Sequence, residues 1–526
     1  MPLVKTSGKL KCHADDQQGA FMARDDKFAS IIGSEQAEPA NIVIFGASGD
    51  LSKRKLLPAL AHMHRWNLLG PHSRIIGSVR EDWSKSHWVN YVHDQLLQYF
   101  PDAILNPRSW MRIADKLDVV NGDLADPEMY QRLAKALHTE NGKKNALFYL
   151  AIPPSWYECV TKNLKEAGLA DESEGFRRIV VEKPFGMDLK SAQHLNGCLQ
   201  QYFDESQIYR IDHYLGKESV QNLMVFRFAN SVLEPLWNRN FIDHVQISVS
   251  ESLGIGYRAG YYDTSGALKD MIQSHLLQVL TLVAMEPPLT LDADDVRDEK
   301  LKVLRAMRPI NAEDVDNIAV RAQYSAGKAD GVDIPAYRDE DGVADDSSTE
   351  TFAAVKFHID NWRWQGVPFL LRTGKALPER VSEICIRFKA PPQTLFDLHD
   401  GNVRNNELIF RLQPDEGMLL TMTAKQPGLS TDLRGVQLDA SYGMAGSGMP
   451  EAYETLFHDV LLGEAGLFSR ADEVEESWRI VEPIMKAWAE QQDIATYAAG
   501  SMDIPDMDEL MHDCEGTWRD LSASHG

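Results

Sequence analysis

Residues 41–60, NIVIFGASGDLSKRKLLPAL, contain a short apolar run, a glycine-rich turn and the start of a helix. The run at 42–45 is rich in β-branched residues and is typical of a buried parallel strand. Gly46 permits a tight turn, and Gly49 lets backbone amides approach a pyrophosphate at the N-terminus of the helix. The pattern predicts the opening of a nucleotide-binding βαβ unit. Because the motif is GxxG and not GxGxxG, a plain strand-to-helix turn is an alternative.

The residue after the next predicted strand bears on the choice of nucleotide. That strand covers residues 75–79 and is followed by Arg80. An acid at this position takes the ribose hydroxyls of NAD, whereas an arginine suits the 2′-phosphate of NADP. Arg80 therefore predicts NADP, while the acids Glu81 and Asp82 leave some use of NAD open.

Two further buried-strand runs, residues 146–151 and 178–181, place polar side chains at their carboxyl ends. Tyr149 and Lys183 stand there, and open α/β sheets bind ligands at that edge. Tyr149 is equally well explained as a core tyrosine. A lysine directly after a buried strand is harder to explain structurally, because lysine is rarely buried without a partner.

The most polar stretch, residues 209–218, reads YRIDHYLGKE and holds two acids, an imidazole, two phenols, an arginine and a lysine. Such runs usually form solvated surface. Here an apolar run at 208–211 and an amphipathic helix after residue 218 anchor both ends in a core. We therefore expect the stretch to line a polar cleft where the nucleotide-binding half ends.

A buried helix is predicted from about residue 270 to residue 285, because apolar residues occupy most of its sides. His275 lies within it, and a lone histidine there is usually a core residue. Asp270 and His275 are about 140° apart on an ideal α-helix, so they address one ligand only from a frayed first turn. Alcohol oxidation needs a base near pH 7 and a carboxylate to orient it. His213 and His275 both suit the base, and the residues alone do not choose between them.

Composition restricts the class of protein. The 526 residues include 54 basic and 78 acidic ones, and the net charge of −24 argues against nucleic acid or an anionic membrane as partner. The five cysteines contain no CxxC pair, which predicts unpaired thiols in a reducing compartment and no zinc motif. No apolar run approaches the roughly 18 residues of a membrane span. Residues 1–40 resemble neither a signal nor a transit peptide and are interpreted as a mobile extension of a cytoplasmic protein.

The C-terminal half follows a different pattern. An antiparallel sheet is implied by strand-like runs without helices between them, at residues 351–359, 366–372, 383–389, 407–413 and 418–425. Residues 324–350 are rich in Gly and Asp and are predicted as a long loop. The predicted fold class is α/β. A Rossmann-like dinucleotide-binding domain at 41–212 precedes an α+β domain at 213–526, which has a large, mainly antiparallel sheet for substrate binding and oligomerisation.

Six motifs resemble the glucose-6-phosphate dehydrogenase family, and especially its bacterial members. They are GASGDLSKRKL (46–56), FYLAIPP (148–154), EKPFG (182–186), RIDHYLGKE (210–218), DMIQSHLLQ (270–278) and RTGKAL (372–377). The resemblance begins at about residue 41. It implies oxidation of D-glucose 6-phosphate to 6-phosphoglucono-δ-lactone with reduction of NADP and no metal, as the first step of the oxidative pentose phosphate pathway. It also implies a homodimer or homotetramer.

The same resemblance implies a role for each candidate residue. His275 would be the base that takes the proton of the anomeric hydroxyl, and Asp212 would orient it. The substrate-binding residues would be Lys183, His213, Tyr214, Lys217, Glu251, Asp270, Lys375 and Arg380. The cofactor-binding residues would be Gly46, Ser48, Gly49, Asp50, Leu51, Lys53, Arg80, Tyr149 and Lys183.

Two other functions are weighed against this one. A sugar oxidoreductase of the glucose–fructose oxidoreductase type also carries EKP after a Rossmann strand, but that family gives no reason for HYLGK at 213–217. A non-catalytic NADP sensor would need a lost base or orienting acid, and both are present.

Animal members of the family hold a second, structural NADP with a Lys and an Arg shortly after RTGKAL. Residues 381–385, VSEIC, carry neither, so we do not expect that site here.

Overall fold

The computed structural model describes residues 35–101, 107–137, 145–256, 259–393, 405–429, 432–441 and 451–522. Residues 1–34, most of the expected N-terminal extension, lie outside the described residues. The chain divides into two compact units. Of the described residues, the first contains those from 35 to 151 together with 172–176 and 457–462, and the second contains those within 152–171, 177–456 and 463–522. In the described parts of both, no helix is long and apolar enough to cross a bilayer.

The first unit contains four parallel strands, β1 (Asn41–Phe45), β2 (Arg74–Val79), β3 (Leu117–Asn121) and β4 (Ala146–Leu150). β1 lies between β2 and β4, and β3 pairs with the other edge of β2. Every residue of β1 and β4 is buried, as expected for parallel strands with covered faces. This strand order is that of one half of a Rossmann-like fold, so the predicted fold of this region is confirmed.

The glycine turn after β1 leads into a helix, as predicted. The helix begins with a wide π-helical turn, Ser52–Leu56. The α-helices of the first unit are α1 (Leu57–Arg65), α2 (Lys85–Tyr99), α3 (Pro107–Ala114) and α4 (Pro127–Leu137).

The second unit contains the remaining strands. They are β5 (Arg177–Val181), β6 (Ile208–Ile211), β7 (Ile242–Ser250), β8 (Ala319–Ser325), β9 (Gly327–Ala329), β10 (Val332–Ile334), β11 (Phe352–His358), β12 (Pro368–Gly374), β13 (Val381–Phe388), β14 (Glu407–Gln413), β15 (Gly417–Lys425), β16 (Leu433–Ser441), β17 (Phe468–Ser469) and β18 (Ala495–Ala498). β5 and β6 pair in parallel, and β17 pairs antiparallel with β6.

Nine of these strands form one large sheet in the order β16-β15-β14-β13-β7-β12-β11-β8-β18. Its pairs are antiparallel except for β12 with β7 and β18 with β8. The predicted large, mainly antiparallel sheet is therefore confirmed. The exception at β7 and β12 matters for function, because it brings the carboxyl ends of two neighbouring strands side by side.

Helices of the second unit pack against this sheet. The α-helices of the second unit are α5 (Tyr157–Glu166), α6 (Leu189–Gln200), α7 (Glu218–Phe228), α8 (Ala259–Ala267), α9 (Leu277–Ala284), α10 (Ala293–Ala306), α11 (Val315–Ile318), α12 (Ala452–Leu462, of which 457–462 belong to the first unit) and α13 (Ala471–Glu490). A π-helical segment, Leu268–Leu276, joins α8 to α9. All eight residues of α9 are buried, and this helix contributes to the main hydrophobic core together with apolar residues of β7, β12 and β13.

The predicted strands of the C-terminal half agree with β11 to β15 to within about two residues at their ends. The prediction of a long loop at 324–350 is wrong in part. The end of β8 and a β-hairpin, β9 with β10, lie inside it. The hairpin strands are only three residues long, so they are too short to show an alternating pattern.

Candidate active site

A buried histidine and a buried aspartate form the centre of the candidate site. The Nδ1–H of His275 donates a hydrogen bond to Asp212 Oδ1 across 2.5 Å. The two residues are 1% and 2% exposed, so water competes little for this bond. The backbone N–H of Tyr214 donates to the same oxygen across 2.9 Å and fixes the carboxylate. An imidazole held in this way is suited to proton transfer.

The ends of parallel strands bring Asp212 and Lys183 together. Asp212 directly follows β6, and Lys183 follows β5 by two residues. β5 and β6 pair with Val181 opposite Arg210, so the residues after them leave the sheet side by side. This is the edge at which open α/β sheets place their ligands.

The segment that carries Asp270 and His275 is not the α-helix that the sequence predicts. Residues 268–276 are wound with the wide turns of a π-helix, in which the backbone bonds join residues five apart. Side chains five positions apart therefore point to nearly the same side of the helix, and the separation of about 140° expected for an α-helix does not apply. Lys183 Nζ lies 3.3 Å from Asp270 Oδ1 and 2.7 Å from His275 Nε2, and it also donates to the backbone oxygen of Asp270 across 2.7 Å. Both residues address one group without fraying.

Lys183 also settles the tautomer of His275. Its ammonium group is only a donor, so its contact with Nε2 requires a lone pair on that nitrogen. The ring proton is then on Nδ1, facing Asp212. Nε2 is thus the nitrogen that can accept a proton. In the free protein, Lys183 Nζ is the donor that faces it.

The electrostatics of the pair keep the imidazole neutral and the carboxylate charged. Burial lowers the pKa of His275 below its ordinary value of 6.5, and the charge of Asp212 offsets part of that effect. Burial alone would raise the pKa of Asp212, but the adjacent His275 ring holds it well below the usual range. A neutral imidazole beside a carboxylate is the form that a general base requires.

A basic and aromatic group adjoins the pair. The ring centroids of His213 and Tyr214 lie 4.4 and 4.5 Å from that of His275. Lys217 Nζ stands 3.8 Å from the centre of the Tyr214 ring and donates to Gln413 Oε1 across 3.1 Å. Burial and then the charge of Arg380 lower the pKa of Lys217 to about 8. Cations and donors in one place suit a phosphate group.

A second polar group comes from the large sheet. Glu251 follows β7 and Lys375 follows β12, and these parallel strands pair with Gly374 opposite Ser250. The two side chains form an ion pair as a result. Burial and then the charge of Lys183 lower the pKa of Lys375 to about 8. The buried hydroxyl of Tyr262 has no hydrogen-bond partner among the described residues, and its ring centre lies 5.8 Å from Lys375 Nζ.

The glycine turn of the first unit fits a dinucleotide phosphate. Gly46 has a φ of 78°, and the N–H of Gly49 donates to its carbonyl oxygen across 2.9 Å. A Cβ on Gly49 would lie 3.0 Å from that oxygen, so a side chain would crowd the turn. Ser48 is tied through its carbonyl oxygen to the hydroxyl of Tyr91. Asp50, Leu51 and Lys53 follow at the start of the helix, where Asp50 pairs with Arg54.

Two other predicted cofactor residues differ sharply in environment. The Arg80 side chain is 86% exposed, and its Nε lies 3.8 Å from Asp123 Oδ2, so most of its guanidinium is accessible to a ligand. Tyr149 is only 1% exposed, and its ring packs against Phe457 with centroids 5.2 Å apart. The structure therefore gives Tyr149 a packing role in β4, whatever its contribution to the cofactor.

Sequence reasoning missed four residues of the site. Tyr262, Ser274, Ser382 and Gln413 lie beside the predicted ones. Ser274 Oγ is 3.4 Å from Lys183 Nζ, and a hydrogen bond joins Ser382 to the Tyr214 side chain. Ser274 lies within the motif DMIQSHLLQ, but neither it nor the other three stands out in the sequence, because neutral polar residues at strand ends and in helices are common.

Comparison with known proteins covers nearly the whole chain. A family model described as "Glucose-6-phosphate dehydrogenase, NAD binding domain" matches residues 43–222, and one described as "Glucose-6-phosphate dehydrogenase, C-terminal domain" matches 224–519. "Glucose-6-phosphate 1-dehydrogenase" of Rhizobium meliloti (strain 1021) is 45% identical over 489 residues, covering 92% of this chain and 98% of its own. That of Mycolicibacterium smegmatis is 46% identical over 470 residues, covering 88% and 94%.

A solved structure agrees with these relatives. It is described as "Glucose-6-phosphate dehydrogenase in complex with its substrate glucose-6-phosphate" and is 37% identical to this chain. The TM-score is 0.83, and the match covers 93% of this chain and 100% of the other.

Proposed function

The chain belongs to the glucose-6-phosphate dehydrogenase family, and from this we propose that His275, held by Asp212, is its catalytic base. The protein is an oxidoreductase that oxidises D-glucose 6-phosphate to 6-phosphoglucono-δ-lactone, the entry to the oxidative pentose phosphate pathway. The observation that carries the assignment of the base is the 2.5 Å bond between His275 Nδ1 and Asp212. It leaves Nε2 as the proton acceptor.

The reaction at this histidine starts with substrate taking the place of Lys183 on Nε2. The anomeric hydroxyl donates to Nε2, and its proton moves there as hydride leaves the same carbon. When bound, the nicotinamide ring accepts that hydride. The imidazolium formed keeps its Nδ1–H bond to Asp212, whose negative charge stabilises it. Lys183 then lies beside the sugar, still held by the backbone oxygen of Asp270.

The rest of the site orients the sugar. His213, Tyr214, Lys217 and Arg380 bind the phosphate, and Glu251, Asp270, Lys375 and Tyr262 bind the hydroxyls. Contacts to a phosphate that does not react place the reacting carbon against Nε2, so remote binding energy lowers the barrier. Lys375 and Glu251 form an ion pair in the free protein. When substrate binds, that ion pair is replaced by hydrogen bonds to the sugar hydroxyls.

Replacing Lys217 by alanine tests the phosphate site. A hydrogen bond to a charged group contributes about 1.5–3 kcal/mol, so KM for glucose 6-phosphate should rise roughly 10- to 100-fold. Rates with unphosphorylated glucose should change little, since that sugar makes no contact with Lys217. Steady-state kinetics with both sugars make the measurement. Lys165→Ala, which removes an exposed lysine of α5, is the control, and an unaltered KM for glucose 6-phosphate in Lys217→Ala would assign the phosphate elsewhere.

The pH dependence of the rate tests the charge states that we assign to His275, Lys217 and Lys375. The base must be neutral, and the pKa of His275 is lowered, so kcat at saturating substrate should stay above half its maximum at pH 6.5 and fall only at lower pH. Lys217 and Lys375, whose pKa values are about 8, lose their charge as pH rises, so kcat/KM should decline above pH 8. Saturating substrate separates the acid limb from the phosphate itself, which titrates near pH 6. An acid midpoint at or above pH 6.5 would contradict the assignment.

NADP is the proposed cofactor, with some use of NAD. Arg80 supports this proposal, because its exposed guanidinium lies directly after β2, where an arginine can bind the 2′-phosphate of NADP. Mixing the protein with glucose 6-phosphate and NADP, then NAD, and following the absorbance of the reduced nicotinamide should give the higher kcat/KM with NADP. Arg80→Ala should raise KM for NADP and leave that for NAD nearly unchanged. Equal effects on both would remove Arg80 from the 2′-phosphate site.

We further propose a cytoplasmic homodimer or homotetramer in which residues 41–212 bind the nucleotide and 213–526 bind the substrate. None of the four described cysteines forms a disulfide, which supports a reducing compartment. Among the strands that the structure describes, β16 is the last of the large sheet, and most of its residues are exposed, including Leu438. An open edge strand with apolar side chains is suited to pairing with a second copy. Sedimentation equilibrium should give a mass of two or four chains.

A further inference from the structure

Two helices of the second unit bring together three side chains that the catalytic site does not use. Glu158 lies in the first turn of α5, and His194 and Cys198 lie four residues apart on α6. One donor atom from each, a carboxylate oxygen, an imidazole nitrogen and the thiol sulfur, lies within 4.8 Å of the others. α5 and α6 pack against each other, so the cluster rests on two rigid elements and not on a loop.

The distance between the cysteine and histidine donors is close to that in a metal centre. Zn–S bonds of about 2.3 Å and Zn–N bonds of about 2.0 Å at a tetrahedral angle place the two donor atoms about 3.5 Å apart. Cys198 Sγ lies 3.7 Å from Nε2 and 3.9 Å from Nδ1 of His194. The His194 ring is exposed, so it can turn either nitrogen toward a metal while the backbone of α6 stays in place.

The chemistry of the three donors selects the class of ion. A thiolate with an imidazole favours Zn²⁺ and similar borderline ions over Mg²⁺ or Ca²⁺, which prefer oxygen ligands. In the free protein the Cys198 thiol is hydrogen-bonded to Glu158, and burial and this carboxylate raise the pKa of the thiol. A bound metal ion replaces the thiol proton, which leaves to solvent, and Glu158 then ligates the metal.

We propose that Glu158, His194 and Cys198 form a binding site for one Zn²⁺-like ion, with water completing the coordination, separate from the catalytic residues. Three protein ligands and a water are the composition of an open zinc site. Because the ion links α5 to α6, binding should stabilise the folded protein.

A second cluster of potential ligands among the described residues is poorly suited to a cation. It consists of Asp212, His213 and His275 in the catalytic centre. Lys183 Nζ lies 2.7 Å from His275 Nε2, so a metal ion there would meet an ammonium charge. Asp212 is also engaged with His275 Nδ1 and the Tyr214 N–H. That cluster holds no cysteine, which allows the two sites to be told apart by spectroscopy.

The test is titration of the reduced, full-length protein with Co²⁺, whose thiolate complexes absorb in the near ultraviolet by charge transfer. One equivalent should produce this band, Zn²⁺ should displace it, glucose 6-phosphate should not, and Zn²⁺ should raise Tm. Cys198→Ser should lose the band, whereas Cys159→Ser, which changes the neighbour of Glu158, should keep it. His194→Ala and Glu158→Gln should weaken binding by at least about tenfold.

Two results would overturn the site. One is a protein that shows no thiolate band with millimolar Co²⁺, and the other is a band that persists in Cys198→Ser. Tm and turnover of each variant without metal identify a variant that has failed to fold. Because Glu158→Gln and His194→Ala alter exposed side chains, they keep the test decisive even if Cys198→Ser is unstable.

Discussion

Replacing His275 by alanine is expected to lower kcat roughly 10²- to 10⁴-fold, the contribution of a positioned general base, with little change in NADP affinity. The reason is local. Nε2 of this ring is the proton acceptor in the proposed reaction, and water in the space left by the imidazole is a weaker base. Stopped-flow or steady-state rates give kcat, and quenching of protein fluorescence by the nucleotide gives its affinity.

The chain contains a matched control for this variant. His244 is also fully buried, and its Nδ1 lies 2.6 Å from Oδ2 of the partly exposed Asp243, so it forms a second His–Asp pair. Its Nε2 faces Gln246 and not a group of the site. His244→Ala should therefore cost stability but not turnover of the folded protein. Added imidazole should restore part of the activity of His275→Ala, and equal loss of kcat in both variants would indicate a structural role for His275.

Replacing Asp212 by asparagine is the second large effect, an expected loss of about 10²- to 10⁴-fold in kcat, as for other carboxylates that orient a catalytic histidine. Asparagine keeps the shape of the side chain, but it removes the charge that stabilises the imidazolium. Its amide can also turn its NH₂ toward Nδ1, which would move the ring proton to Nε2 and block the base.

A pH profile separates this role from a merely structural one. The charge of Asp212 raises the pKa of His275, so its removal should lower that pKa further and move the acid limb of kcat to lower pH. Misfolding would lower the rate at all pH values without moving the limb. Asp243→Asn, which changes the second pair, should leave both kcat and the limb in place. An acid limb that stays fixed in Asp212→Asn would rule out electrostatic coupling to His275.

Much of the fold was accessible from local patterns. A β-branched run, a glycine turn and an amphipathic helix depend on residues close in sequence, and β1, its turn and the following helix form as predicted. The same holds for β11 to β15. The motifs also identified the family, because several of them occur along the chain in the same order as in that family. Local patterns failed where the element was short, as in the β9–β10 hairpin, or where its winding was unusual.

The sequence by itself determined the fold class, the family and the set of polar residues available for chemistry. Tertiary structure decided how they are used. Asp212 and His275 are 63 positions apart, and only the pairing of β5 with β6 and the π-helical winding of residues 268–276 turn one nitrogen to the acid and the other to Lys183. The cluster of Glu158, His194 and Cys198 likewise exists only because α5 packs on α6. Burial, hydrogen-bond partners and pKa depend on neighbours distant in sequence, and a pattern of adjacent residues contains no record of them.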